Sequence, residues 1–441
     1  MLSPLAEFRC PALPGLLATM LVLVTPGAVR AQQGPVEGLE ASPTLSVWDD
    51  RLAAGDAAAE AEFWRMVEDA SIPLIEPDSA HAGYSIVTFL ARGAPDVDRM
   101  RLHSNVTALL VDGSFPPPDS LGWMERMGGT DVWYRSFRFR NDIRIPYRLV
   151  TYRGTDAPSV DIDPLNPLVW EPGVEALRAS ILELADAPPQ PWRNPSGQEG
   201  AGDWDELSAD DGSGRSVYVY KPVQWDAERA EPYPLLVGLG SFGHGIGMRV
   251  DRMIDELIGA GRLPPMIVAL VDLTPEDETT NYAATAEFIL EELLPHLREE
   301  YGATTDPRQV VTSGTSRRGM VASLLALEHP ETFGNVLSLS GSYYWRPDNV
   351  EAFEWVPMRY AFVEPRPVHF YVAAGRLETF VSPGNRGHYL LATNRHMRDV
   401  LVARDYDLAY VEFNGVHSEL NWQDWLAAGL VHLLGEGDHN R

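Results

Sequence analysis

Cysteine is nearly absent. The only one, Cys10, precedes the first apolar run, so the rest of the chain can form no disulfide and offers no thiol for catalysis. Positive charge is scarce as well. Against 63 Asp and Glu there are 35 Lys and Arg, and the net charge of −28 excludes nucleic acid and anionic membrane surfaces as partners, because like charge repels both. The 11 histidines are scattered, without H-E-x-x-H or a Cys/His cluster, so neither a metal nor any other cofactor is expected. His296, His329 and His432 read as surface or core residues. No apolar run reaches the ~20 residues of a membrane-spanning helix. The run Leu16–Val24 is shorter; Arg9 lies ahead of it and the small-residue stretch Ala28-Val29-Arg30-Ala31 behind it. Residues 1–31 therefore read as a secretory signal cut after Ala31, and the expectation is a periplasmic or secreted protein with no stable membrane insertion after cleavage.

What is present suits two domains, since 441 residues with 45% hydrophobic content are enough for two cores. Gln32–Pro43 is a lead-in, and the Ala/Glu-rich Ala53–Asp69 predicts a helix. From Tyr84 the pattern turns to short alternating runs, Tyr84–Leu90, Met100–Leu110, Asp131–Arg138 and Ile143–Thr151, separated by turn-formers such as Gly113 and Pro116–Pro118. Strands at this spacing predict a β-sandwich over residues 44–187. Pro188–Gly214, rich in Pro and Gly, predicts a linker. Beyond it Ser216–Tyr220, Leu235–Leu239 and Met266–Leu273 read as strands, and Ala286–Glu300 as an amphipathic helix. Alternating strands and helices predict an α/β domain over 215–437 with a mostly parallel sheet covered on both faces.

Within that domain Gln309–Leu325 carries the chemistry. A β-type run ends at Gly314-Thr315-Ser316 and a helix-forming run begins at once, the form of a nucleophile elbow. The usual G-x-S-x-G is altered, because Arg318 stands two after Ser316 and the glycine is delayed to Gly319. Downstream, Val368–Gly375 predicts a buried strand with Glu378 on the loop leaving it, and Leu408–Gly415 predicts another, followed by His417 and an amphipathic run from Trp422 to Leu434. The order Ser316, Glu378, His417, each on a loop after a strand, is that of the α/β-hydrolases. Serine is a poor nucleophile until a neutral imidazole accepts its proton, and the imidazole needs a carboxylate to fix its tautomer. Asp405 and Asp407 compete with Glu378 as the acid. Ser241, Ser340 and Ser342 compete less well with Ser316, the first lacking the glycine two before it and the others a helical run immediately behind.

The Gly-rich Gly238–Gly245 follows an early strand, where such folds place one oxyanion N–H; Gly240, Ser241 and Phe242 are the candidates, with Arg317 after the nucleophile supplying the other. A tight turn is the plainer reading of the same loop. It is no phosphate loop, since no Gly-Lys-Ser/Thr ends it. Arg317 and Arg318 begin the elbow helix and Arg376 precedes the acid. Cations at a helix N-terminus cost a few tenths to ~1 kcal/mol each unless an anion answers them. Nearby carboxylates are one such anion. An anionic substrate is the other, which makes Arg318 and Arg376 the candidate substrate-binding residues.

Several segments resemble the enterochelin (enterobactin) esterase family. In the first domain they are Gly129–Trp133, Asp163–Pro167 and Trp170; in the second, Glu292–Pro295, His329–Gly334, Val336–Trp345 and Gly415–Trp422. The resemblance implies an immunoglobulin-like domain followed by an esterase-D-like α/β-hydrolase domain, Ser316 and His417 as nucleophile and base, and a small-molecule ester of the siderophore-lactone type as substrate, an anionic ferric siderophore included. Arg318 departs from the family's first glycine. Two other readings stand beside this one: a feruloyl or acetyl esterase acting on polysaccharide, and a non-catalytic binding protein that kept the fold.

Overall fold

The computed structural model describes residues 36–37, 42–53, 57–70, 72–104, 122–190, 202–209, 214–240, 245, 247–273, 282–347, 350–351, 353–379 and 390–435. The expected signal segment, 1–31, lies outside them.

Among the described residues ten strands build the N-terminal part: β1 (Val36–Glu37), β2 (Leu74–Pro77), β3 (Tyr84–Arg92), β4 (Arg99–His103), β5 (Glu125–Arg126), β6 (Val132–Arg140), β7 (Arg144–Tyr152), β8 (Ser159–Asp161), β9 (Val169–Trp170) and β10 (Ala179–Glu183). They form two antiparallel sheets, β1-β6-β3-β2 with β5 on β6, and β4-β7-β10-β9 with β8 on β7. Side chains alternate across a strand. Val87, Phe89 and Phe137 therefore meet Ile145, Tyr147 and Leu149 of the other sheet, whereas Leu90 and Val132 join Leu45 and Leu52 of helix Pro43–Ala53 and Phe63 and Trp64 of helix Ala57–Asp69. Burial on both faces of β3 explains why its sequence alternates so weakly. The single helix expected over Ala53–Asp69 is instead the second of two, and the strand expected over Met100–Leu110 ends at His103, with 105–121 outside the described residues.

The second part is an eight-stranded sheet of β11 (Asp203–Ser208), β12 (Ser216–Lys221), β13 (Leu235–Leu239), β14 (Ile267–Val271), β15 (Val310–Thr315), β16 (Asn335–Leu339), β17 (His369–Gly375) and β18 (Leu408–Phe413), in the order β11-β12-β14-β13-β15-β16-β17-β18. From β14 to β18 every neighbouring pair is parallel. The inner strands β14, β15 and β16 are buried at every residue, because both faces of the sheet are covered. One apolar core lies on each face, the first beneath helices Arg317–Glu328, Trp355–Phe362 and Leu390–Ala403, the second beneath Val250–Gly259 and Glu419–Leu434. The linker expected over 188–214 needs correction, since β11 falls inside it as the antiparallel edge of this sheet. Its Asp-Trp-Asp-Glu-Leu-Ser leaves no residue fully buried, so no apolar alternation marks it.

Candidate active site

The residues Ser316, Ser340, Glu378 and His417 follow β15, β16, β17 and β18, four adjacent parallel strands, so one sheet edge presents them together. Ser316 sits at φ 56° and ψ −125°, a conformation that non-glycine residues adopt only under constraint. Its N–H donates to the Leu339 carbonyl at 2.9 Å, and its own carbonyl accepts the N–H of Ser342 at 2.9 Å and of Met320 at 3.3 Å. The backbone around it is crowded. A Cβ on Gly314 would lie 2.5 Å from the carbonyl carbon and 2.7 Å from the Cβ of Arg318, and one on Gly319 would lie 2.7 Å from Ser338 Oγ. Positions 314 and 318 thus face each other with room for one Cβ. Arg318 carries it, Gly314 does not, and Gly319 supplies the close approach to β16; this is how the elbow closes with arginine in the usual glycine position.

Glu378 is fully buried, and its Oε1 faces His417 Nδ1 at 3.2 Å. The same oxygen accepts the Ser340 hydroxyl at 2.7 Å, and Ser340 Oγ in turn accepts the Trp422 indole N–H at 2.8 Å. The Trp422 ring meets the His417 ring edge-on, centroids 4.6 Å apart. A proton on Nδ1, shared with the carboxylate, leaves Nε2 as the basic atom. Glu378 is thereby the carboxylate that meets His417. Asp407 instead pairs with His369 Nδ1 at 2.9 Å where β17 begins, at the opposite edge of the sheet, and Asp405 lies in the turn before β18. Ser316 Oγ lies 3.3 Å from Ser342 Oγ. Sequence reasoning weighed Ser340 and Ser342 only as rival nucleophiles and gave Trp422 no part in the site. The usable signal was the end of the strand between those of the nucleophile and the acid, not a helix behind the serine.

Of the oxyanion candidates, Gly240 already donates its N–H to the Val271 carbonyl at 2.9 Å, which removes it from that role; Ser241 and Phe242 lie outside the described residues. Arg317 takes the first position of the elbow helix, where an N–H has no intrahelical acceptor. Arg317 and Arg318 are half-buried. Arg376 is exposed and answered by protein groups: Glu412 lies 3.6 Å away and Asn414 Oδ1 accepts from it at 3.3 Å. Glu412 also takes both Nε and Nη2 of Arg395, which hold its carboxyl below the usual range. Among the described residues no group of three or more His, Cys, Asp or Glu is placed to hold a metal ion.

The sandwich reaches the site directly. Leu377 and Val416, neighbours of the acid and the histidine, are buried in its core. A cavity of about 240 Å³ lies between the parts, walled by His103, Arg148 and Trp170 on one side and by His417 and Glu419 on the other. Burial, with Arg101 and Arg148 nearby, holds His103 below the ordinary imidazole range.

The sequence profile of the putative esterase family matches residues 208–433, just over half of the chain, and that of the enterochelin esterase N-terminal domain matches 86–193. The chain is 26% identical to the iron(III) enterobactin esterase of Dickeya dadantii over 437 residues, covering 88% of this chain and 96% of that protein. It is 29% identical to the iron(III) enterobactin esterase of Escherichia coli O6:H1 over 350 residues, covering 72% and 83%. The enterobactin esterase of Shigella flexneri, solved in the presence of enterobactin, superposes with a TM-score of 0.63 at 25% identity over 81% of this chain and 95% of that one. The ferric enterobactin esterase of Salmonella typhimurium shares the fold, with a TM-score of 0.66 at 21% identity over 85% and 98%. With an elbow serine, a buried Glu–His pair and these similarities, the chain belongs to the putative esterase family and is a carboxylic ester hydrolase.

Proposed function

We propose that the enzyme hydrolyses a siderophore ester or lactone of the enterobactin type, with Ser316 as nucleophile, His417 as base and Glu378 as the group that orients it. The observation that carries the reading is the fully buried Glu378, 3.2 Å from His417 Nδ1, on the sheet edge that also presents the strained Ser316. Ser316 Oγ attacks the ester carbonyl while Nε2 of His417 takes its proton; that proton then goes to the departing alcohol, and a water activated by the same nitrogen releases the acid. The oxyanion is held by the Arg317 N–H and, in this reading, by an N–H of Ser241 or Phe242. Arg318, half-buried and two residues after Ser316, is the contact for an anionic substrate in this reading.

The substrate class is supported by the N-terminal match, which ties the sandwich to enterochelin esterases, and by relatives named for iron(III) enterobactin. No observation favours a polysaccharide ester. With residues 1–31 removed as a secretory signal, the enzyme would act outside the cytoplasm, linearising or trimming the ligand there. The test is mass spectrometry of enterobactin, feruloylated oligosaccharides and acetylated xylan incubated with the purified protein. Expected is cleavage of enterobactin to 2,3-dihydroxybenzoylserine units, at a rate at least tenfold above either carbohydrate ester. Intact enterobactin beside a cleaved carbohydrate ester would overturn the substrate class.

A further inference from the structure

Asn421 is 4% exposed and stands in the first turn of helix Glu419–Leu434, four residues after His417. Its side chain joins three parts of the molecule. Oδ1 accepts the N–H of Val416 at 2.9 Å, and the Ser418 hydroxyl reaches the same oxygen at 3.4 Å. Nδ2 donates to the backbone carbonyl of Arg144, on β7 of the sandwich, at 3.2 Å. Between these bonds Gly415 lies flush against the amide, where a Cβ would come within 2.5–2.7 Å of its carbon, nitrogen and oxygen.

The loop held in this way also carries the acid's loop. Arg376 donates its N–H to Phe413 O at 2.8 Å and Leu377 donates to Gly415 O at 3.2 Å, while a Cβ on Gly375 would strike Gly415 O at 2.7 Å. Leu377 and Val416 both insert into the sandwich core. Asn421 therefore fixes a segment that has Glu378 on one side and His417, the residue after Val416, on the other.

We infer that Asn421 is a positioning residue that, by holding the Val416 backbone, keeps the catalytic histidine in register with Glu378. Its own amide touches neither the ester nor the reacting atoms. It acts by fixing the Val416 backbone, and an error of about 1 Å at a reacting group can cost on the order of 100-fold in rate. The inference rests on His417 being the base, as proposed above.

The test uses the full chain and a neutral short-chain nitrophenyl ester, so that siderophore recognition plays no part. N421A removes both bonds; N421D keeps the shape and the acceptor for Val416 but gives up the donor to Arg144; D142A removes another bond between the two parts, from Asn414 Nδ2 to Asp142 Oδ2, that does not involve Val416. H417A is the control for the triad. Expected are a kcat for N421A lowered roughly 10- to 100-fold with KM within about twofold, recovery to within several-fold in N421D, and D142A close to the parent. Wild-type kcat in folded N421A, or a loss shared equally by N421D or D142A, would overturn the inference. If N421A does not fold, N421D decides: near-parental kcat supports the role and a deep loss refutes it. Retained activity in H417A would refute the triad reading instead.

Discussion

Ser340 does more for the carboxylate than its place in Ser-Leu-Ser-Gly-Ser suggests. Its backbone is at φ 52°, its N–H donates to the Ala373 carbonyl at 2.7 Å, and its hydroxyl bridges the Trp422 N–H and Glu378 Oε1. Glu378 Oε2 is buried with no hydrogen-bond partner among the described residues, while the hydroxyl and His417 both meet Oε1. Removing a hydrogen bond to a buried charge costs about 1.5–3 kcal/mol. The substitution Ser340→Ala is therefore expected to lower kcat roughly ten- to hundredfold with KM little changed, in steady-state assays on a neutral ester. An unchanged kcat would mean that the hydroxyl only fills space. Reading the sequence alone excludes this residue, because its role comes from lying between two other strand ends and no local pattern reports that adjacency. The elbow serine differs in this respect. Its glycine spacing, strand and following helix are all consecutive in the chain, and Gln309–Leu325 displays them.

The hairpin of β2 and β3 is fastened to β6 through Asp78, which accepts the Ala80 N–H at 2.8 Å, meets His81 Nδ1 at 3.0 Å and pairs with Arg138. Burial alone would raise its pKa, but the Ala80 N–H, the Arg138 guanidinium and His81 outweigh it and hold the carboxyl at about 2. The folded value lies below the ~3.9 of an unfolded aspartate, so the stabilisation is complete above about pH 4 and disappears as pH falls through 2. Asp78→Asn is expected to be less stable than the parent at neutral pH, with the gap narrowing below pH 4 in urea unfolding across that range. A gap independent of pH would assign the loss to shape and not to charge. Elements of this kind differ in how well they can be read from sequence. The strands β13, β14 and β17 appear as apolar runs because both faces are covered. The edge strand β11 is acidic, pairs with β12 alone and hides in a stretch with the composition of a linker.

At the scale of the whole molecule, domain order and the order Ser316, Glu378, His417 are legible, because each depends on a loop following its own strand. How the sandwich sits against those loops is not. The bond from Asn421 to Arg144 joins residues 277 apart in sequence, and nothing local at either end announces it. The same packing brings Leu377 and Val416 into the sandwich core, so the two parts share one active-site wall. Three serines meet at the ends of β15 and β16, with Ser342 Oγ 3.3 Å from Ser316 Oγ and Ser340 on the acid. Ser340 shares the positive φ, but of the three only Ser316 directly precedes a helix, as a nucleophile at an elbow does. Treatment of the full chain with a fluorophosphonate, followed by peptide mass spectrometry, distinguishes them. A single phosphonyl adduct on Ser316, forming in step with the loss of esterase activity, is the expected result; an adduct on Ser340 or Ser342, or inactivation with Ser316 unmodified, would contradict it.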